Sequence, residues 1–557
     1  MPTACNRRDL AALLFAALLA ANANAQPNIL LILVDDMGWS DIGAFGGEIR
    51  TPNLDKLAES GLRFTQFHTT AKCFPSRAAL LTGKYPEQVG MSESPTGVIR
   101  GNTTIASELR ALGYRTLMVG KHHGSDHPMN LGFDRYAGLR DGASNHFNPG
   151  VRARPGEPEP ARKAFVSPAG RWWCFDTKCV QGFTPDSQDF YSTDTYTDWA
   201  IDFLAQARDD SKPFFLYLSY QAPHDPLQAW PEDIARYLDV YAEGFEAIAG
   251  ARYERMQQSG LIDSRYPRSP PTHRDWTTLD ADERKSEARR MAVYAAMIDR
   301  VDQNIGRLIK HLKERDQLDH TLVLFTSDNG ASAEVVLDAT GQREIGAEYE
   351  IGSVGRWSSL GPDWANVSNT PFRDFKNSSF EGGAASPLIV HWPSGIRQAG
   401  RIVDSNAHLI DVLPTLLATA GRASNEAKHT SEGIDLSTHF QRSEHVERTR
   451  PVFQRWHLGR SVRTDDWKLV SQGTPGEPDW KTVSRLKAEG TLTAETWREL
   501  ARAAATPGKW QLFDMNLDRT ETQDVAHQHP QVVAELSAAY EAWFARVTAR
   551  SEWASGP

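Results

Sequence analysis

The chain alternates short, unbroken apolar runs with longer stretches in which apolar residues recur at helical spacing. The unbroken runs are rich in branched side chains, which is typical of strands buried on both faces. They predict strands at residues 29–34, 114–119, 213–219, 321–326 and 387–391. Helical spacing predicts helices at residues 51–60, 201–208 and 289–313. Because strands and helices alternate, we expect a layered α/β unit with a largely parallel central sheet.

The pattern changes after the apolar helical segment at residues 408–421. Polar linkers follow, and then short strands are predicted at residues 461–470 and 510–515, with an amphipathic helix at residues 531–547. A chain of 557 residues is too long for one compact core. We therefore expect a large domain at residues 26–424 and a C-terminal α+β subdomain at residues 425–557, with a small antiparallel sheet and the terminal helix.

Two segments depart from these regular patterns. Residues 474–508 resemble a polar, partly helical insertion between strands of the C-terminal subdomain. Residues 151–189 are rich in proline, glycine and arginine, so they predict a long surface excursion near the rim of the functional site.

The first 25 residues have the pattern of an export signal. Arg7 and Arg8 form a positive region, residues 10–20 are apolar, and the sequence Ala-Asn-Ala at residues 23–25 fits a cleavage site. The apolar run is too short to cross a bilayer, so we predict a signal peptide and a periplasmic or secreted protein without a membrane span. A buried core helix is the structural alternative, and the paired arginines also fit twin-arginine export of a folded protein.

The formal net charge of −10 is spread along the chain without long runs of one sign. Nucleic-acid binding requires a basic patch or stripe, and the sequence offers none. Charged residues make up 24% of the chain and hydrophobic residues 40%, which is ordinary for a soluble enzyme. The composition therefore predicts a globular enzyme without a nucleic-acid partner.

The four cysteines have different expected fates. Cys5 leaves with the predicted signal peptide, and Cys73 lies in a motif described below. Cys174 and Cys179 stand close together in W-C-F-D-T-K-C, and in an oxidising compartment we expect them to form a disulfide. Two free thiols are the alternative, whereas a zinc site is disfavoured because no second Cys or His pair stands nearby in the sequence.

Two acidic pairs lie where predicted strands end: Asp35 and Asp36 in LLILVDDMG, and Asp328 and Asn329 in LVLFTSDNG. Ligands of open α/β sheets bind beyond these strand ends. Neighbouring strand residues face opposite ways, so a pair can converge only at a turn, which Gly38 and Gly330 are expected to supply. Three carboxylates and an amide form a hard oxygen site suited to Ca²⁺ or Mg²⁺. The alternative is that each pair caps a following helix or turn.

The segment T-A-K-C-F-P-S-R at residues 70–77 leads into the helical run A-A-L-L-T-G-K-Y-P. A cysteine at a helix start lies near the positive end of the helix dipole, beside backbone donors that can hold an anion. Arg77 follows Cys73 by four residues and can lie on the same helix face. Taken alone, the segment predicts an activated thiol beside a cation.

Taken with its neighbours, the segment resembles the formylglycine-dependent (type I) sulfatase family, in particular its bacterial arylsulfatase branch. C-F-P-S-R matches the family's Cys-x-Pro-Ser-Arg modification motif, and L-T-G-K-Y-P matches its usual extension. The resemblance continues through PNILLILVDDMGWSDIG, GYRTLMVGKHH, YQAPHDPLQA, MAVYAAMIDRVDQNIGRLI, LFTSDNG, WANVSNTPFRDFKNSSFEGG, DWKLV and WQLFDM, so it covers essentially the whole mature chain. It implies an alkaline-phosphatase-like sandwich for a catalytic sulfatase domain at residues 26–424.

The resemblance also implies a mechanism. In this family a formylglycine-generating enzyme oxidises the motif cysteine to formylglycine (3-oxoalanine), and the aldehyde hydrates to a geminal diol. One hydroxyl attacks sulfur to give a sulfated enzyme, and loss of the proton from the second hydroxyl then ejects sulfate. The implied activity is hydrolysis of an aryl or carbohydrate sulfate ester, which is a small-molecule or carbohydrate substrate.

Residue roles follow from the match to the family's motifs. Arg77 would orient formylglycine 73 and balance its charge, Lys121 in G-K-H-H would bind a sulfate oxygen, and His123 would support the diol. His224 in A-P-H and Lys376 in R-D-F-K would face the sulfate and the leaving oxygen as acids or charge stabilisers. The implied ligands of Ca²⁺, with Mg²⁺ as the alternative, are Asp35, Asp36, Cys73 as formylglycine, Asp328 and Asn329.

The sequence departs from the family pattern at positions that flank this core. His122 stands where the family usually has an aromatic residue, so either histidine could act, and the spacing favours His123. Asp225 replaces the more typical aromatic residue of A-P-H-W-P, and Phe380 replaces the histidine that commonly precedes E-G-G. These changes bear on substrate preference rather than on the sulfate site. His146 in G-A-S-N-H-F is either a pocket residue or a structural histidine.

Two other functions fit parts of the pattern. Relatives with the same nucleophile and metal site hydrolyse phosphonate monoesters or phosphodiesters, which are tetrahedral monoanions like sulfate esters. A catalytically silent protein that binds sulfated polymers is the second alternative. The intact set of nucleophile, metal ligands and cations argues against that second alternative.

Overall fold

The computed structural model describes residues 26–549 except for residues 96, 98, 100, 164–166, 207–211, 339–342, 423–430, 443–445, 475–481, 483–484, 487–490, 492–495, 497–498, 501–502, 505 and 507. The predicted signal peptide, the predicted domain boundary at residues 424 and 425 and most of the predicted insertion lie outside the described residues. Within the described part of the chain, no helix is both long and apolar enough to cross a membrane.

In the described part of the chain, fifteen strands form two sheets. The strands are β1 Asn28–Asp35, β2 Leu62–His68, β3 Arg115–Gly120, β4 Arg135–Leu139, β5 Trp172–Phe175, β6 Lys178–Gln181, β7 Phe214–Pro223, β8 Thr321–Ser327, β9 Ala385–His391, β10 Arg401–Val403, β11 Ala407–His408, β12 Val452–Trp456, β13 Gly459–Arg463, β14 Trp467–Gln472 and β15 Gln511–Asp514. The central sheet has 11 strands in the order β10-β2-β9-β8-β1-β7-β3-β4-β5-β6, with β11 also pairing with β2. Its middle five strands, from β8 to β4, are parallel.

Helices surround this sheet. The α-helices are α1 Pro52–Glu59, α2 Cys73–Thr82, α3 Ile105–Ala111, α4 Ser192–Gln206, α5 Pro231–Ile234, α6 Gly244–Gln258, α7 Ala281–Lys313, α8 Pro362–Ser368, α9 Glu381–Ala384, α10 Val412–Thr419, α11 Thr438–Gln441 and α12 Pro530–Ala549. Short 3-10 helices span Gly43–Phe45, Pro86–Val89, Pro128–Leu131, Trp276–Thr278, Leu318–His320 and Leu409–Asp411. The architecture is therefore an α/β sandwich with a large, mostly parallel sheet, as the sequence predicts.

Strand β1 shows why its apolar run is unbroken. Leu30 and Ile32 point to the face covered by the long helix α7, whereas Ile29 and Leu31 point to the opposite face, which is covered by α2 and α3. Successive side chains of a strand alternate between faces, so a strand covered on both sides must be apolar at every position. The five strands predicted from apolar runs are all present, as β1, β3, β7, β8 and β9.

Helix α7 begins at Ala281, eight residues before the predicted helix. Asp280 caps its first turn, and the side chain of Glu283 reaches back to the backbone N–H of Asp280. This capping box starts the helix in a polar stretch where apolar spacing gives no signal. Helix starts of this kind depend on caps rather than on the buried face.

The segment at residues 151–189 contradicts part of its prediction. Most of the residues at 151–163 are exposed or half-buried, but β5 and β6 form a hairpin that extends the central sheet beside β4. Trp173 on this hairpin is fully buried against Phe183, Phe190 and Tyr196. The predicted disulfide between Cys174 and Cys179 joins the two strands of the hairpin. A strand of four residues gives too short an apolar pattern to be recognised in the sequence.

Strands β12 to β15 form a separate four-stranded antiparallel sheet near the C-terminus. Helix α12 covers it through Tyr540 and Trp543, which share a small core with Val462 and Leu469 of the sheet. Tyr85, which follows helix α2, packs against Trp543 with ring centroids 5.1 Å apart. The second sheet is therefore packed directly against the segment that follows Cys73.

The buried carboxyl group of Glu87 should make the stability of this packed region depend on pH. It is only 4% exposed and its Oε1 atom has no hydrogen-bond partner among the described residues. Burial raises the pKa of Glu87 from 4.5 to about 7, so the folded protein holds this proton more tightly than the unfolded chain. The protonated Glu87 carboxyl group therefore contributes to the free energy of unfolding. This contribution is complete below pH 4.5 and is lost as the pH rises through about 7.

We expect Glu87→Gln to raise the free energy of unfolding at about pH 8 by on the order of 2–3 kcal/mol, and to change it little at about pH 5. Urea denaturation at both pH values measures this difference. Glu93→Gln, a change of the same kind at a partly exposed carboxylate, is the control and should show no such pH-dependent gain. Equal effects of Glu87→Gln at both pH values would contradict the prediction.

Candidate active site

Strand β1 delivers two carboxylates to one end of the central sheet. Asp35 is its last residue, and Asp36 follows with a φ of 68°, in the left-handed region. This reversal turns the Asp36 side chain back towards the side occupied by Asp35. The two aspartates can therefore converge although they are neighbours in sequence, as the prediction required.

The predicted role of the two glycines needs correction. Neither Gly38 nor Gly330 is among the residues with positive φ. Instead, a Cβ atom at Gly38 would lie 2.3 Å from the carbonyl oxygen of Ser368, and one at Gly330 would lie 2.0 Å from that of Gly382. These glycines are required because two backbones approach each other closely, and Asp36 itself makes the turn.

The second acidic pair meets the first across the end of the sheet. Asp328 follows strand β8, and its Oδ1 accepts the backbone N–H of Asp36 at 3.4 Å. The Nδ2 atom of Asn329 donates to Oδ1 of Asp36 at 2.7 Å. All four side chains are fully or almost fully buried. The predicted convergence of the two pairs is therefore present.

This cluster has the donor set of a cation site. Ligand atoms of Asp35, Asp36, Cys73 and His224 lie within 4.8 Å of one another. The Oδ1 atoms of Asp35 and Asn329 are buried and have no hydrogen-bond partner among the described residues. Buried oxygens without partners are costly unless a cation or another donor reaches them. The residues present therefore fit a hard divalent ion such as Ca²⁺ or Mg²⁺.

Cys73 is the first residue of helix α2, and it is 1% exposed. Its Sγ atom lies 3.8 Å from Oδ1 of Asp36. Ser76 steadies the preceding turn, because its hydroxyl contacts that of Thr70 at 2.8 Å and accepts the Thr70 backbone N–H at 3.1 Å. The motif cysteine thus points into the carboxylate cluster from a rigid helix start.

Arg77 lies one turn along helix α2 and joins three strands. Its guanidinium donates to Asp328 at 2.9 Å, to the hydroxyl of Ser219 at 2.6 Å and to the backbone carbonyl of Lys121 at 2.9 Å. Burial lowers the pKa of Arg77, but the charges of Asp328 and Asp35 outweigh it, so Arg77 remains a fixed cation. Burial and the charge of Asp35 raise the pKa of Asp328 to about 7.

Two lysines complete the ring of cations. Lys121 follows strand β3 and forms a short ion pair with Asp35, and both side chains are completely buried. Lys376 contacts Oδ2 of Asp36 at 2.8 Å, and the charge of Asp36 outweighs the effect of burial and raises its pKa well above the ordinary value. Each lysine therefore contacts one of the two aspartates at the end of β1.

His224 follows strand β7 and lies between two aspartates. Its Nε2 atom is 3.6 Å from Oδ2 of Asp36, and its Nδ1 atom is 2.8 Å from Oδ1 of Asp225. Burial lowers the pKa of His224, but the charges of Asp36 and Asp35 outweigh it and raise the pKa to about 10. Asp225 therefore holds Nδ1, and Nε2 faces the cluster.

The structure separates the two adjacent histidines. The cations that act on His123 are, in order after burial, Lys121, Arg77 and His224, which all belong to the cluster. His122 is influenced instead by Arg77 and then Arg140, and burial lowers its pKa to about 3. His123 has a φ of 62°, in the left-handed region. The choice of His123 over His122, made from its spacing, remains a prediction.

His146 is a structural neighbour of the site. Its Nδ1 atom contacts the hydroxyl of Ser192 at 2.8 Å, and its Nε2 atom contacts the backbone carbonyl of His224 at 3.1 Å. Burial lowers its pKa to about 4, so it is neutral near neutral pH. His146 thus supports the loop that carries His224.

The sequence prediction missed residues at the rim of the cluster. Lys72 pairs with Glu334 at 2.7 Å, and Glu334 also lies 3.7 Å from Lys376. Lys163, from the surface excursion, lies 3.3 Å from Asp225. The position of Lys72 directly before Cys73 could have indicated that it lies at the site. Glu334 follows the motif LFTSDNG by four residues, and Lys163 belongs to the segment predicted to lie near the rim, but neither residue was singled out because both lie in irregular segments.

Comparison with known proteins agrees with this fold. Residues 27–422 match the Sulfatase family model. An arylsulfatase of Klebsiella aerogenes is 34% identical over 453 residues, which cover 76% of this chain and 93% of the relative. An uncharacterized sulfatase of Schizosaccharomyces pombe is 31% identical over 92% of both chains. The crystal structure of Ps i-CgsB has a TM-score of 0.64 at 26% identity over 93% of both chains, and it has also been solved with k-i-k-neocarrahexaose.

A sandwich sheet with carboxylates and cations at its strand ends defines a hydrolase of anionic esters. The family match across most of the chain makes this more specific: the protein belongs to the sulfatase family. It is a sulfuric ester hydrolase, and it acts on sulfate esters.

Proposed function

We propose that the protein hydrolyses aryl or carbohydrate sulfate esters through formylglycine formed from Cys73, with a covalent sulfo-enzyme intermediate. The observation that supports this most directly is the placement of Cys73, buried at a helix start 3.8 Å from Asp36 and enclosed by the cations of the site. A plain thiol beside so many carboxylates gains little as a nucleophile. A hydrated aldehyde offers one hydroxyl for attack on sulfur and a second for expulsion of sulfate.

The cations of the site neutralise the sulfate group. Lys121 and Lys376 carry buried ammonium groups that contact Asp35 and Asp36, and we propose that the same groups also bind the sulfate oxygens. Arg77 is tied to three partners, so it holds position and charge rather than moving with the substrate. The sulfate therefore enters a site that is already organised around fixed positive charge.

His224 is the proposed acid for the leaving oxygen. Asp225 accepts at Nδ1, which leaves the Nε2–H of the protonated ring directed into the cluster. The departing alcohol takes this proton as its bond to sulfur breaks. Aryl esters with good leaving groups need this proton less than alkyl or sugar esters do.

The metal proposed for the site is Ca²⁺, with Mg²⁺ as the alternative. Asp35, Asp36, Asp328 and Asn329 would hold it together with residue 73, and two of their oxygens lack other partners among the described residues. When bound, such an ion supplies positive charge that lowers the pKa of the hydrated residue and polarises sulfate.

The proposed function also implies an enzyme that modifies Cys73 and a location for the mature protein. The proposed partner is a formylglycine-generating enzyme that acts on the C-F-P-S-R segment. We propose export to the periplasm or outside the cell, and the pattern of residues 1–25 and the disulfide between Cys174 and Cys179 support this.

Peptide mass spectrometry and paired kinetics test the proposal. Protein made with a formylglycine-generating enzyme should contain formylglycine at position 73 and hydrolyse 4-nitrophenyl sulfate, whereas protein made without it should keep cysteine and show little activity. Turnover of a phenyl phosphonate ester far above that of the sulfate would show a phosphonate hydrolase instead. Unmodified cysteine in protein from the native host, without turnover, would favour a sulfated-polymer binding protein.

Asp225→Asn is expected to slow phenyl sulfate hydrolysis by about 10- to 100-fold and 4-nitrophenyl sulfate hydrolysis much less. The backbone carbonyl of residue 225, which contacts Nδ1 at 2.7 Å, is kept, but the carboxylate that stabilises the protonated ring is lost, so the acid is weaker support for the poorer leaving group. Steady-state kcat/KM for both esters measures this split. In a His224→Ala background the same change should have no further effect, because the proton donor is already absent. Equal losses for the two esters would show that Asp225 acts in some other way.

A further inference from the structure

Trp456 brings the C-terminal sheet into contact with the segments that carry Cys73 and Lys376. It is the last residue of strand β12, and its side chain is half-buried. Its Nε1 atom donates to Oδ1 of Asn377 at 3.0 Å, and its ring meets that of Phe74 edge-on, with the ring centroids 5.4 Å apart. Asn377 and Phe74 directly follow Lys376 and Cys73 in the chain. Trp456 therefore lies next to the proposed sulfate site without belonging to its buried cluster.

Lys72 and Glu334 lie on the solvent side of the buried site. The side chain of Lys376 is 1% exposed, whereas those of Lys72 and Glu334 are 18% and 33% exposed. The three residues are connected, because Oε1 of Glu334 lies 2.7 Å from Nζ of Lys72 and 3.7 Å from Nζ of Lys376. Nζ of Lys72 also lies 5.8 Å from the centroid of the Trp456 ring. Trp456, Lys72 and Glu334 therefore border the opening that leads to Lys376.

The carboxylate of Glu334 can accept a further hydrogen bond at this opening. Both lysine contacts use its Oε1 atom, and a carboxylate has acceptor sites on both oxygens. The charges of Lys376 and Lys72 hold the pKa of Glu334 well below its usual range, so the group is ionised and only accepts hydrogen bonds. A molecule that pairs with its second oxygen, Oε2, must therefore bring a donor.

Three kinds of alcohol in the sulfate ester can be compared with this opening. A simple aryl alcohol offers a ring for Trp456 but no hydrogen-bond donor for Glu334. An acyclic alkyl alcohol offers neither a flat apolar face nor a second donor. A sugar offers both, because its C–H groups are attracted to the negative face of an aromatic ring and its free hydroxyl groups donate hydrogen bonds. The residues at the opening therefore favour a sugar.

We propose that Trp456 and Glu334 form the subsite for the alcohol part of the ester and that they select a sulfated sugar over a simple aryl sulfate. This inference rests on the proposed function, which leaves the choice between the two classes open. The C–H face of the sugar packs against the exposed part of the Trp456 ring, and Oε2 of Glu334 accepts a hydrogen bond from a sugar hydroxyl. Lys72 holds the carboxylate in place through Oε1. The C-terminal sheet thereby takes part in the choice of substrate.

Steady-state kinetics of the full chain, with formylglycine at position 73, test the role of Glu334. The substrates are 4-nitrophenyl sulfate and the 3-, 4- and 6-sulfates of galactose. We expect hydrolysis of at least one galactose sulfate, and Glu334→Leu should raise its KM about tenfold because the acceptor is lost. Glu334→Gln keeps an oxygen acceptor and should raise this KM less. A purely electrostatic role predicts the opposite, a lower KM for every ester in both variants, because each removes a negative charge 3.7 Å from Lys376.

Variants of Trp456 test the other half of the subsite. Trp456→Ala should raise the KM for the galactose sulfate about fivefold, and Trp456→Phe should restore most of the loss because it keeps an aromatic face. Trp510→Ala is the matched control. Trp510 is also half-buried and lies next to strand β15, but it packs against Tyr540 and Arg460. Its replacement should leave the KM of both kinds of ester as in the wild type.

The results separate failure of this inference from failure of the proposed function. Hydrolysis of 4-nitrophenyl sulfate without hydrolysis of any galactose sulfate would overturn the subsite alone, and so would a KM for the galactose sulfate that Glu334→Leu leaves unchanged or lowers. Absence of turnover of every sulfate ester would overturn the proposed function and the subsite with it. If Trp456→Ala does not fold, Trp456→Phe and the two Glu334 variants still decide, because Glu334 is one-third exposed and its replacement should not prevent folding.

Discussion

Cys73→Ala is expected to lower kcat/KM for 4-nitrophenyl sulfate by a factor on the order of 10⁴ to 10⁶, because it removes the precursor of the nucleophile. Cys73 is buried, and alanine is smaller and apolar, so the fold should persist. The measurement is steady-state hydrolysis with protein matured in the presence of a formylglycine-generating enzyme. The thermal midpoint, measured on the same sample, separates loss of chemistry from loss of folding.

The Cys73→Ser variant tests the two steps of the proposed mechanism separately. A serine hydroxyl can attack sulfur once, but it has no second hydroxyl to expel sulfate. We therefore expect release of about one equivalent of 4-nitrophenol per enzyme, followed by a stall, with sulfate retained on the protein. Intact-mass measurement detects that sulfated species. Continuous turnover by Cys73→Ser would contradict the proposed expulsion step, and turnover by Cys73→Ala would contradict the role of residue 73 altogether.

Lys468→Met is expected to destabilise the protein by about 3–5 kcal/mol, the usual cost of leaving a buried charge without its partner. The Nζ atom of Lys468, on strand β14, lies 2.8 Å from Glu381 and 2.7 Å from Glu521. Glu381 also contacts His68 at 3.0 Å, and all of these side chains are buried. Without the lysine, two carboxylates face each other in the interface between the two sheets.

Urea denaturation measures this loss of stability. Two further variants test whether the loss comes from the unpaired buried charge. Arg460→Met, on the neighbouring strand β13, removes a pair with the exposed Glu541 and should cost about 1 kcal/mol or less. Adding Glu521→Gln to Lys468→Met should recover part of the stability, because one of the two opposed carboxylates is gone. A small loss for Lys468→Met alone would show that the interface does not depend on this charge network.

The charge network also connects the C-terminal sheet to the active site. Glu381 begins helix α9, five residues after Lys376, which contacts Asp36. Burial raises the pKa of Glu381, but the charges of Lys468 and His68 outweigh it and hold the pKa well below the ordinary value. The C-terminal sheet thus anchors the segment that carries one of the proposed sulfate-binding lysines.

Local sequence patterns were sufficient to predict the strands at the centre of the fold. The strands that carry Asp35 and Asp328 are covered on both faces, so every position is apolar and the runs are unmistakable. The hairpin at β5 and β6 is short and lies at the sheet edge, and it was predicted as surface chain. Elements of four residues contain too few positions for either periodicity to be recognised.

The candidate site also has one part that the sequence could predict and another that depends on the fold. Motif residues such as Cys73 and Arg77 could be named from the chain, since their chemistry depends on spacing within one helix turn. The ion pair of Arg77 with Asp328 joins residues 251 positions apart, and Lys376 reaches Asp36 across 340 positions. Such partners depend on which strands lie side by side, and residue spacing carries no record of that order.

The sequence by itself determined the α/β class, the strand ends that carry carboxylates and the identity of the motif cysteine. These features follow from short-range rules of periodicity, turn chemistry and helix starts. The tertiary structure alone decided that Asp36 makes its own turn, that Asp225 contacts His224, and that Lys376 reaches Asp36. Each of these depends on close approach between distant segments, where packing and burial set the contacts and the charges of individual groups.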